Sequence, residues 1–120
     1  RHFICGMARG ADLYFCEAVL DLRRRQPDVF LEAAVPCPQQ ASRWPKAQKE
    51  RYDRLLAECD LVTLVQESYT PDCMMRRNRY MVERSGMIIA VYDGLPGGTM
   101  RTLTYALRQG LELVQLEPEE

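Results

Sequence analysis

Histidine is nearly absent from this sequence, since His2 is the only histidine among 120 residues. Structural zinc sites combine cysteines and histidines at short, regular spacings. The five cysteines are widely spaced and form no Cys-x-x-Cys pair, so neither a zinc site nor a disulfide framework is expected. We therefore predict five reduced thiols, no bound metal and a cytoplasmic location.

The sequence also lacks a long apolar run and an excess of charge of one sign. A membrane helix needs about 20 consecutive apolar residues, and no run approaches that length. Sixteen basic residues against seventeen acidic ones give a formal charge of −1. We therefore expect no membrane partner, and binding to nucleic acid is disfavoured because no overall positive field would attract its phosphates.

Short apolar runs alternate with segments of helical periodicity along the whole chain. Five runs bounded by turn residues predict strands over residues 3–5, 30–35, 61–65, 87–92 and 111–116. The run over 87–92 shows no alternation, which predicts a strand buried on both faces. Because strands that alternate with helices pair in parallel, we predict an α/β fold with a doubly wound parallel sheet, as one domain over residues 1–120.

A first glycine loop follows the first predicted strand. Gly6 and Gly10 let the backbone turn and approach a ligand closely, and we predict that Met7 and Arg9 between them also belong to the ligand site. Asp12 either caps the following helix or accepts a hydrogen bond from a ligand hydroxyl. The spacing is not the Gly-x-Gly-x-x-Gly pattern of dinucleotide-binding folds, so an ordinary NAD site is not supported.

A second glycine loop follows the fourth predicted strand. Asp93 opens a turn, and Gly97 and Gly98 remove two Cβ atoms directly before a helix for which Thr99 is the predicted N-cap. Backbone N–H groups at the positive end of a helix can bind phosphate, although a tight connection without a ligand is the alternative. Because parallel strands end at the same edge of a sheet, we expect the two glycine loops to face one another across a crevice.

Polar side chains elsewhere supply further site predictions. Arg76, Asn78 and Arg79 lie on the third predicted helix and can reach an anion at the neighbouring strand ends, with solvent-facing arginines as the alternative. Trp44 lies in the loop after the second strand, where it either stacks on a base or packs on its own loop.

Four ordered segments resemble a known superfamily. The segment Ile4-Cys5-Gly6-Met7-Ala8-Arg9-Gly10-Ala11-Asp12 resembles the glycine loop of the SLOG superfamily of Rossmann-like domains, as it occurs in DNA-processing protein A. The later segments resemble its YpsA-like branch: Tyr69-Thr70-Pro71, Arg77-Asn78-Arg79-Tyr80-Met81-Val82 and Ala90-Val91-Tyr92-Asp93-Gly94-Leu95-Pro96-Gly97-Gly98-Thr99. The resemblance covers nearly the whole chain and implies a Rossmann-like sheet in a three-layer α/β/α arrangement.

The resemblance implies a pocket for a nucleotide or nucleotide-derived ligand. In it, Gly97, Gly98 and Thr99 would cradle a phosphate, and the first glycine loop with Asp12 would complete the site. Members of the family begin with an additional strand and helix carrying a Thr-Gly-x-Arg element, so we expect this chain to lack that first unit. The related lonely guy phosphoribohydrolases place glutamates after a Pro-Gly-Gly-x-Gly-Thr motif, and the corresponding stretch here contains none, so no catalytic residue is assigned.

The leading hypothesis is therefore a binding module for a nucleotide-derived small molecule, without a metal or other cofactor. The chain could form a homodimer. One alternative is an N-glycoside phosphoribohydrolase that uses Asp12 or Glu17 as the acid and Arg9 or Arg79 on the phosphate. Another alternative is single-stranded DNA binding as in DNA-processing protein A, which the charge and the few interleaved aromatic residues disfavour.

Overall fold

Strands and helices alternate along the chain, as the sequence predicts. The computed structural model describes residues 1–91 and 98–116. Within them the order is β1 His2–Cys5, α1 Ala11–Arg25, β2 Phe30–Val35, α2 Lys46–Glu58, β3 Leu61–Leu64, α3 Cys73–Glu83, β4 Met87–Val91, α4 Gly98–Arg108 and β5 Glu112–Leu116. The predicted Rossmann-like α/β fold class is confirmed.

The five strands pair as two parallel ladders rather than as one sheet. The first ladder has the order β1-β2-β3, with Cys5 opposite Ala33 and Ala33 opposite Val62. The second ladder pairs β4 with β5, with Met87 opposite Glu112. Apolar runs in a sequence identify strands but carry no information about lateral partners, which is why this division was not predicted.

The chain forms two compact units, Arg1–Arg77 and Asn78–Glu120. In the first unit, α1 and α2 cover one face of the β1–β3 sheet. The predicted inward positions of α1 are confirmed, because Leu13, Cys16, Val19 and Leu20 are all buried. Leu31 of β2 is fully buried among them, and truncation of such a residue to alanine costs about 2 to 5 kcal/mol.

The second unit contains the β4–β5 ladder, most of α3, and α4. Its core holds Val82, Ala106 and Leu111, and Ile88 packs against them. The prediction that the fourth strand is buried on both faces is wrong for the described residues. Met87 and Ile89 are 48% and 44% exposed because they point away from the face on which the core packs.

Two predicted helix starts differ from the observed ones. The N-cap of α1 is Gly10, which has no side chain, so Asp12 lies in the first helical turn and does not occupy the cap. Helix α4 begins at Gly98, so Thr99 lies inside the helix rather than at its N-cap. Among the described residues, no helix is both long enough and apolar enough to span a bilayer.

Candidate functional site

Two loops leave the carboxyl edge of the sheet in the first unit. Strands β1 and β2 run parallel, and residues 6–12 and 36–44 follow their carboxyl ends. We call these two loops together the rim. Ligands of open parallel sheets bind at this edge, because the loops that follow the strands converge there.

The first rim loop has an unusual backbone. Gly10 has φ 82° and ψ −125°, and Met7 has φ 58°, in the left-handed region that a side chain disfavours by about 1 to 2 kcal/mol. The predicted site residue Met7 contributes only its backbone to the rim surface, because its side chain is completely buried in the core of the first unit. Such backbone strain is found preferentially at functional sites.

Gly6 lies against two groups of opposite charge. A Cβ atom built on Gly6 would lie 3.0 Å from Oδ2 of Asp12 and 3.1 Å from Nε of Arg77, which is tighter than most Cβ contacts in proteins. The close approach therefore favours glycine, because a larger residue would force the Asp12 or Arg77 side chain to shift. It also brings the carboxylate and the guanidinium next to one point of the backbone.

Arg77 was not among the predicted site residues, yet among the arginines of α3 it is Arg77 that contacts the rim. It is 7% exposed, and its Nη1 donates to the carbonyl oxygen of Gly6 across 2.9 Å. Burial lowers the pKa of the guanidinium, and the Asp12 carboxylate opposes that shift. Arg77 follows the buried Cys73 by four residues, and this helical spacing was the available signal that it faces inward.

Asp12 is bonded to its own loop. Its Oδ2 accepts from the Ala8 amide at 3.1 Å, and its carbonyl oxygen accepts from the Cys5 thiol at 3.1 Å. Its Oδ1 makes no hydrogen bond to the residues that the structure describes. One carboxylate oxygen of Asp12 thus holds the loop.

The second rim loop is joined to the first through Gln40. The Gln40 side-chain amide donates to the carbonyl oxygen of Gly6 at 3.3 Å and accepts from the Tyr52 hydroxyl at 3.4 Å. Burial raises the pKa of Tyr52 to about 12, so its hydroxyl stays a donor. The Trp44 ring packs edge-on against Tyr52, and the guanidinium carbon of Arg9 lies 6.0 Å from the Trp44 ring centre.

The other predicted residues of α3 have different partners. Arg76 is exposed and pairs with Asp72 at 2.9 Å. In the second unit, Asn78 donates to Thr102 at 2.9 Å, and the guanidinium carbon of the exposed Arg79 lies 5.9 Å from the Tyr105 ring centre.

The second glycine loop lies mostly beyond the described part of the chain. Asp93 and Gly97 are outside the described residues, and Gly98 and Thr99 are the first two residues of α4. The expectation that the two glycine loops face one another stays a prediction.

Glu17, the alternative catalytic acid, forms a salt bridge with two arginines. Arg51 donates to both of its carboxylate oxygens, and Arg54 lies 3.6 Å away. The hydrogen bonds from Arg51 hold the pKa of Glu17 below its usual range. A carboxylate that stays ionised in this way is poorly suited to donate a proton as a general acid.

The thiols are buried or partly buried and are not joined by disulfides. A hydrogen bond with Cys5 is the main cause that raises the pKa of Cys16 to about 12, and the hydrogen bond between Cys16 and Cys59 raises the pKa of Cys59. Raised pKa values of this kind make these two cysteines weak nucleophiles. Within the described ranges, no group of three or more His, Cys, Asp or Glu residues is arranged to hold a metal ion.

A buried carboxylate inside β2 was also not predicted. Glu32 is 3% exposed, with His2 Nε2 at 2.8 Å and the Thr63 hydroxyl donating at 2.7 Å. The other five residues of β2 are apolar or small, so a single acid within a buried strand was the only signal for Glu32. These contacts satisfy Glu32 within the sheet, outside the rim.

Comparison with known proteins agrees with the motifs. The YspA SLOG family matches residues 1–114. The Uncharacterized SPbeta prophage-derived protein YoqJ of Bacillus subtilis (strain 168) is 34% identical, over 98% of this chain and 77% of its own length. A UPF0398 protein of Bacillus pumilus (strain SAFR-032) is 30% identical over 70% of this chain, and one of Bacillus thuringiensis (strain Al Hakam) is 26% identical over 87%.

The chain spans only 46% and 58% of the length of these two UPF0398 relatives. The family match, in contrast, extends over nearly all of the present sequence, and it includes both rim loops and Arg77. The chain therefore belongs to the YspA SLOG family.

Proposed function

We propose that this chain binds a nucleotide, or a nucleotide-derived ligand that carries phosphate, at the rim of the first unit. The observation that supports this most is the packing of Asp12 and the buried Arg77 against Gly6. A buried guanidinium is costly to desolvate, and here it donates to the backbone of a surface loop. A loop fixed in this way loses little conformational entropy when a ligand binds, which favours affinity.

The start of α1 is suited to the phosphate. The first amides of a helix have no partner within the helix, and they lie at the positive end of its dipole. Gly10 at the N-cap has no side chain that could occupy them. The adjacent Arg9 is exposed, and its guanidinium can add a charge-assisted hydrogen bond to a phosphate oxygen.

Asp12 favours a nucleotide over a simple anion. Its carboxylate repels a phosphate placed directly beside it, whereas its Oδ1 can accept from a sugar hydroxyl. A ligand that joins a phosphate to a ribose satisfies both requirements. Inorganic phosphate satisfies only the first.

A binding module is favoured over the hydrolase alternative because Glu17 is paired with Arg51, and Asp12, the other acid of that alternative, holds its own loop. The salt bridge with Arg51 removes Glu17 as a proton donor. The names of the three relatives state no activity, so the proposal depends on the rim itself.

Isothermal titration calorimetry with AMP, cyclic AMP, ADP-ribose and inorganic phosphate tests the proposal. We expect at least one nucleotide to bind, and Arg9→Ala to weaken that binding about tenfold or more because a charge-assisted hydrogen bond is lost. The matched control is Arg25→Ala, since Arg25 lies at the opposite end of α1. Absence of heat with every nucleotide, or equal losses in the two variants, would contradict the proposal.

A further inference from the structure

We propose that Arg9 and Trp44 form a stacking clamp for the aromatic base of the ligand. The inference rests on the function proposed above and deepens it. It assigns the site to nucleoside phosphates in preference to sugar phosphates that have no base.

The two residues lie in the two loops of the rim. Arg9 follows β1 and Trp44 follows β2, and these strands are neighbours in the sheet. The guanidinium carbon of Arg9 is 6.0 Å from the centre of the Trp44 ring. A flat ring that contacts a group on each face at ~3.5 Å needs a gap of about 7 Å. A shift of Arg9 by about 1 Å therefore opens the required space.

Arg9 is free to make that shift. It is exposed, and among the described residues it makes no hydrogen bond or ion pair. Its long side chain has several rotatable bonds, so movement of the guanidinium alone requires no change in the backbone. The clamp thus has one adjustable side. Because the N–H donors of a guanidinium lie in its plane, Arg9 can stack on the base through its face while an N–H group donates to the phosphate.

Trp44 forms the fixed side. Its ring centre lies 5.2 Å from that of Tyr52 at an interplanar angle of 78°, and Tyr52 is 6% exposed. The Tyr52 hydroxyl donates to Gln40, which in turn donates to the carbonyl oxygen of Gly6. This chain of contacts ties the indole to the glycine loop that is proposed to bind the phosphate. A rigid aromatic platform costs little entropy on binding.

Other arginine and aromatic pairs of the chain differ from this one in spacing or position. The distances from guanidinium carbon to ring centre are 4.7 Å for Arg51 and Tyr14, 4.0 Å for Arg84 and Tyr80, and 5.9 Å for Arg79 and Tyr105. The first two pairs are closed contacts with no room for a ring. The third joins α3 to α4, whereas Arg9 and Trp44 both lie in loops that follow strands.

The chemistry of the clamp indicates the class of ligand. An indole and a guanidinium both stack on the flat faces of bases, and stacking of this kind tolerates any base because every base has a π-face. The clamp therefore selects for a base without selecting which one. Arg9 is adjacent to Gly10, so a base in the clamp lies next to the start of α1, where the phosphate is proposed to bind.

Trp44 is the only tryptophan of the chain, so fluorescence excited where only indole absorbs reports on the surroundings of Trp44. Titration of the full chain with AMP is expected to quench this fluorescence. Titration with ribose 5-phosphate, which has no base, is expected to leave it unchanged. Calorimetry should show that ribose 5-phosphate binds about tenfold more weakly than AMP, the typical effect of one stacked base.

Two variants separate stacking from folding. Trp44→Leu should reduce the affinity for AMP to that for ribose 5-phosphate and leave the latter unchanged. Because Trp44 also packs on the core, the surface variant Tyr14→Leu, which removes a ring beneath Arg51, serves as the matched control and should change neither affinity. The wild-type fluorescence titration does not depend on either variant.

The outcomes distinguish the clamp from the phosphate site. Equal affinities of the wild type for AMP and ribose 5-phosphate, without quenching, would overturn the clamp and leave the proposed function standing. Binding of neither ligand, nor of any other nucleotide, would overturn both. Quenching by AMP alone, together with loss of the preference for AMP in Trp44→Leu, would support the clamp.

Discussion

Arg77 Nη1 donates to the carbonyl oxygen of Gly6 across 2.9 Å, and this hydrogen bond joins α3 to the loop after β1. The same carbonyl oxygen accepts from the Gln40 side chain at 3.3 Å. One backbone group therefore receives donors from two separate segments of the first unit. Such convergence fixes the loop before any ligand binds, and it is the physical basis of the proposals made above.

Replacement of Arg77 should destabilise the first unit. Arg77→Met removes a buried donor to Gly6 and leaves the Asp12 carboxylate without its adjacent positive charge. We expect the free energy of unfolding to fall by about 2 to 3 kcal/mol, because a buried polar group loses its partner. Urea denaturation followed by circular dichroism measures this change.

The control for Arg77 is its neighbour in the sequence. Arg76→Met removes an exposed ion pair with Asp72, and exposed pairs contribute little to stability. We expect this variant to unfold at nearly the same urea concentration as the wild type. If the two methionine variants were equally stable, Arg77 would not have the role described here.

A methyl group at Gly6 should destabilise the first unit. In Gly6→Ala the new Cβ would lie 3.0 Å from Asp12 Oδ2, so the carboxylate or the loop must move. We expect a loss of about 1 to 3 kcal/mol, as for other overpacked sites, and a lower affinity for AMP. Thermal unfolding and calorimetry measure the two effects.

Gly86 is the matched control for Gly6. A Cβ there meets no atom within 4 Å, and Gly86 is not in the left-handed region. Gly86→Ala should therefore change the stability by no more than about 1 kcal/mol in either direction. A loss in Gly86→Ala equal to that in Gly6→Ala would show that the contacts around Gly6 are unimportant.

Asp60 should make the first unit sensitive to acid. Its Oδ2 accepts from the Leu31 amide and from Arg23, both at 2.8 Å, and these interactions hold the pKa of Asp60 below its usual range. Because the pKa of Asp60 is lower in the folded state, its ionised carboxylate stabilises the fold at pH values above the ordinary aspartate pKa of about 4. This stabilisation is lost as the pH falls through the pKa of the folded state.

Asp60→Asn tests this pH dependence. At pH 7 we expect it to cost about 1 kcal/mol, after discounting for the exposure of Asp60 and Arg23 to solvent. The difference from the wild type should shrink as the pH falls below about 4, because the carboxylate of the unfolded chain is protonated there before that of the folded protein. Asp21→Asn, at an exposed residue with only loose ion pairs, should show no such convergence. A difference for Asp60→Asn that is constant from pH 7 to pH 3 would contradict the assignment.

The cysteines should resist alkylation in the folded protein. Cys16 is completely buried with a pKa of about 12, and the pKa of the partly buried Cys59 is also raised. Iodoacetamide at pH 8 should modify them slowly in buffer and rapidly in urea, because only the thiolate reacts. Mass spectrometry of tryptic peptides identifies the modified residues. Rapid labelling of Cys16 without denaturant would contradict the packing described here.

The order of strands and helices was predictable because periodicity records burial. Leu13, Cys16, Val19 and Leu20 recur at helical spacing, and all four are buried. The lateral pairing and the depth of burial were not predictable. Met87 and Ile89 belong to an uninterrupted apolar run, yet they are exposed because α3 and α4 cover only one face of the ladder.

The position of the first rim loop could be predicted from its glycines. The residues that contact this loop could not. The sequence pattern predicts Arg76 and Arg79 as site residues, whereas Arg77 between them is the one that points inward. Neighbouring residues of a helix point in different directions, so an error of one position selects the wrong arginine. The direction of the Met7 side chain was likewise not predictable. Its position in the glycine loop suggested a role at the surface, but its backbone adopts a positive φ and its side chain enters the core.

Amide hydrogen exchange with and without AMP tests the central proposal most directly, because it reports where the ligand binds. We expect AMP to slow exchange in peptides that cover residues 6–14, where the glycine loop leads into α1, and to leave the carboxyl end of α1 unchanged. Unchanged exchange over residues 6–14 at saturating AMP, or protection confined to other segments, would contradict the account.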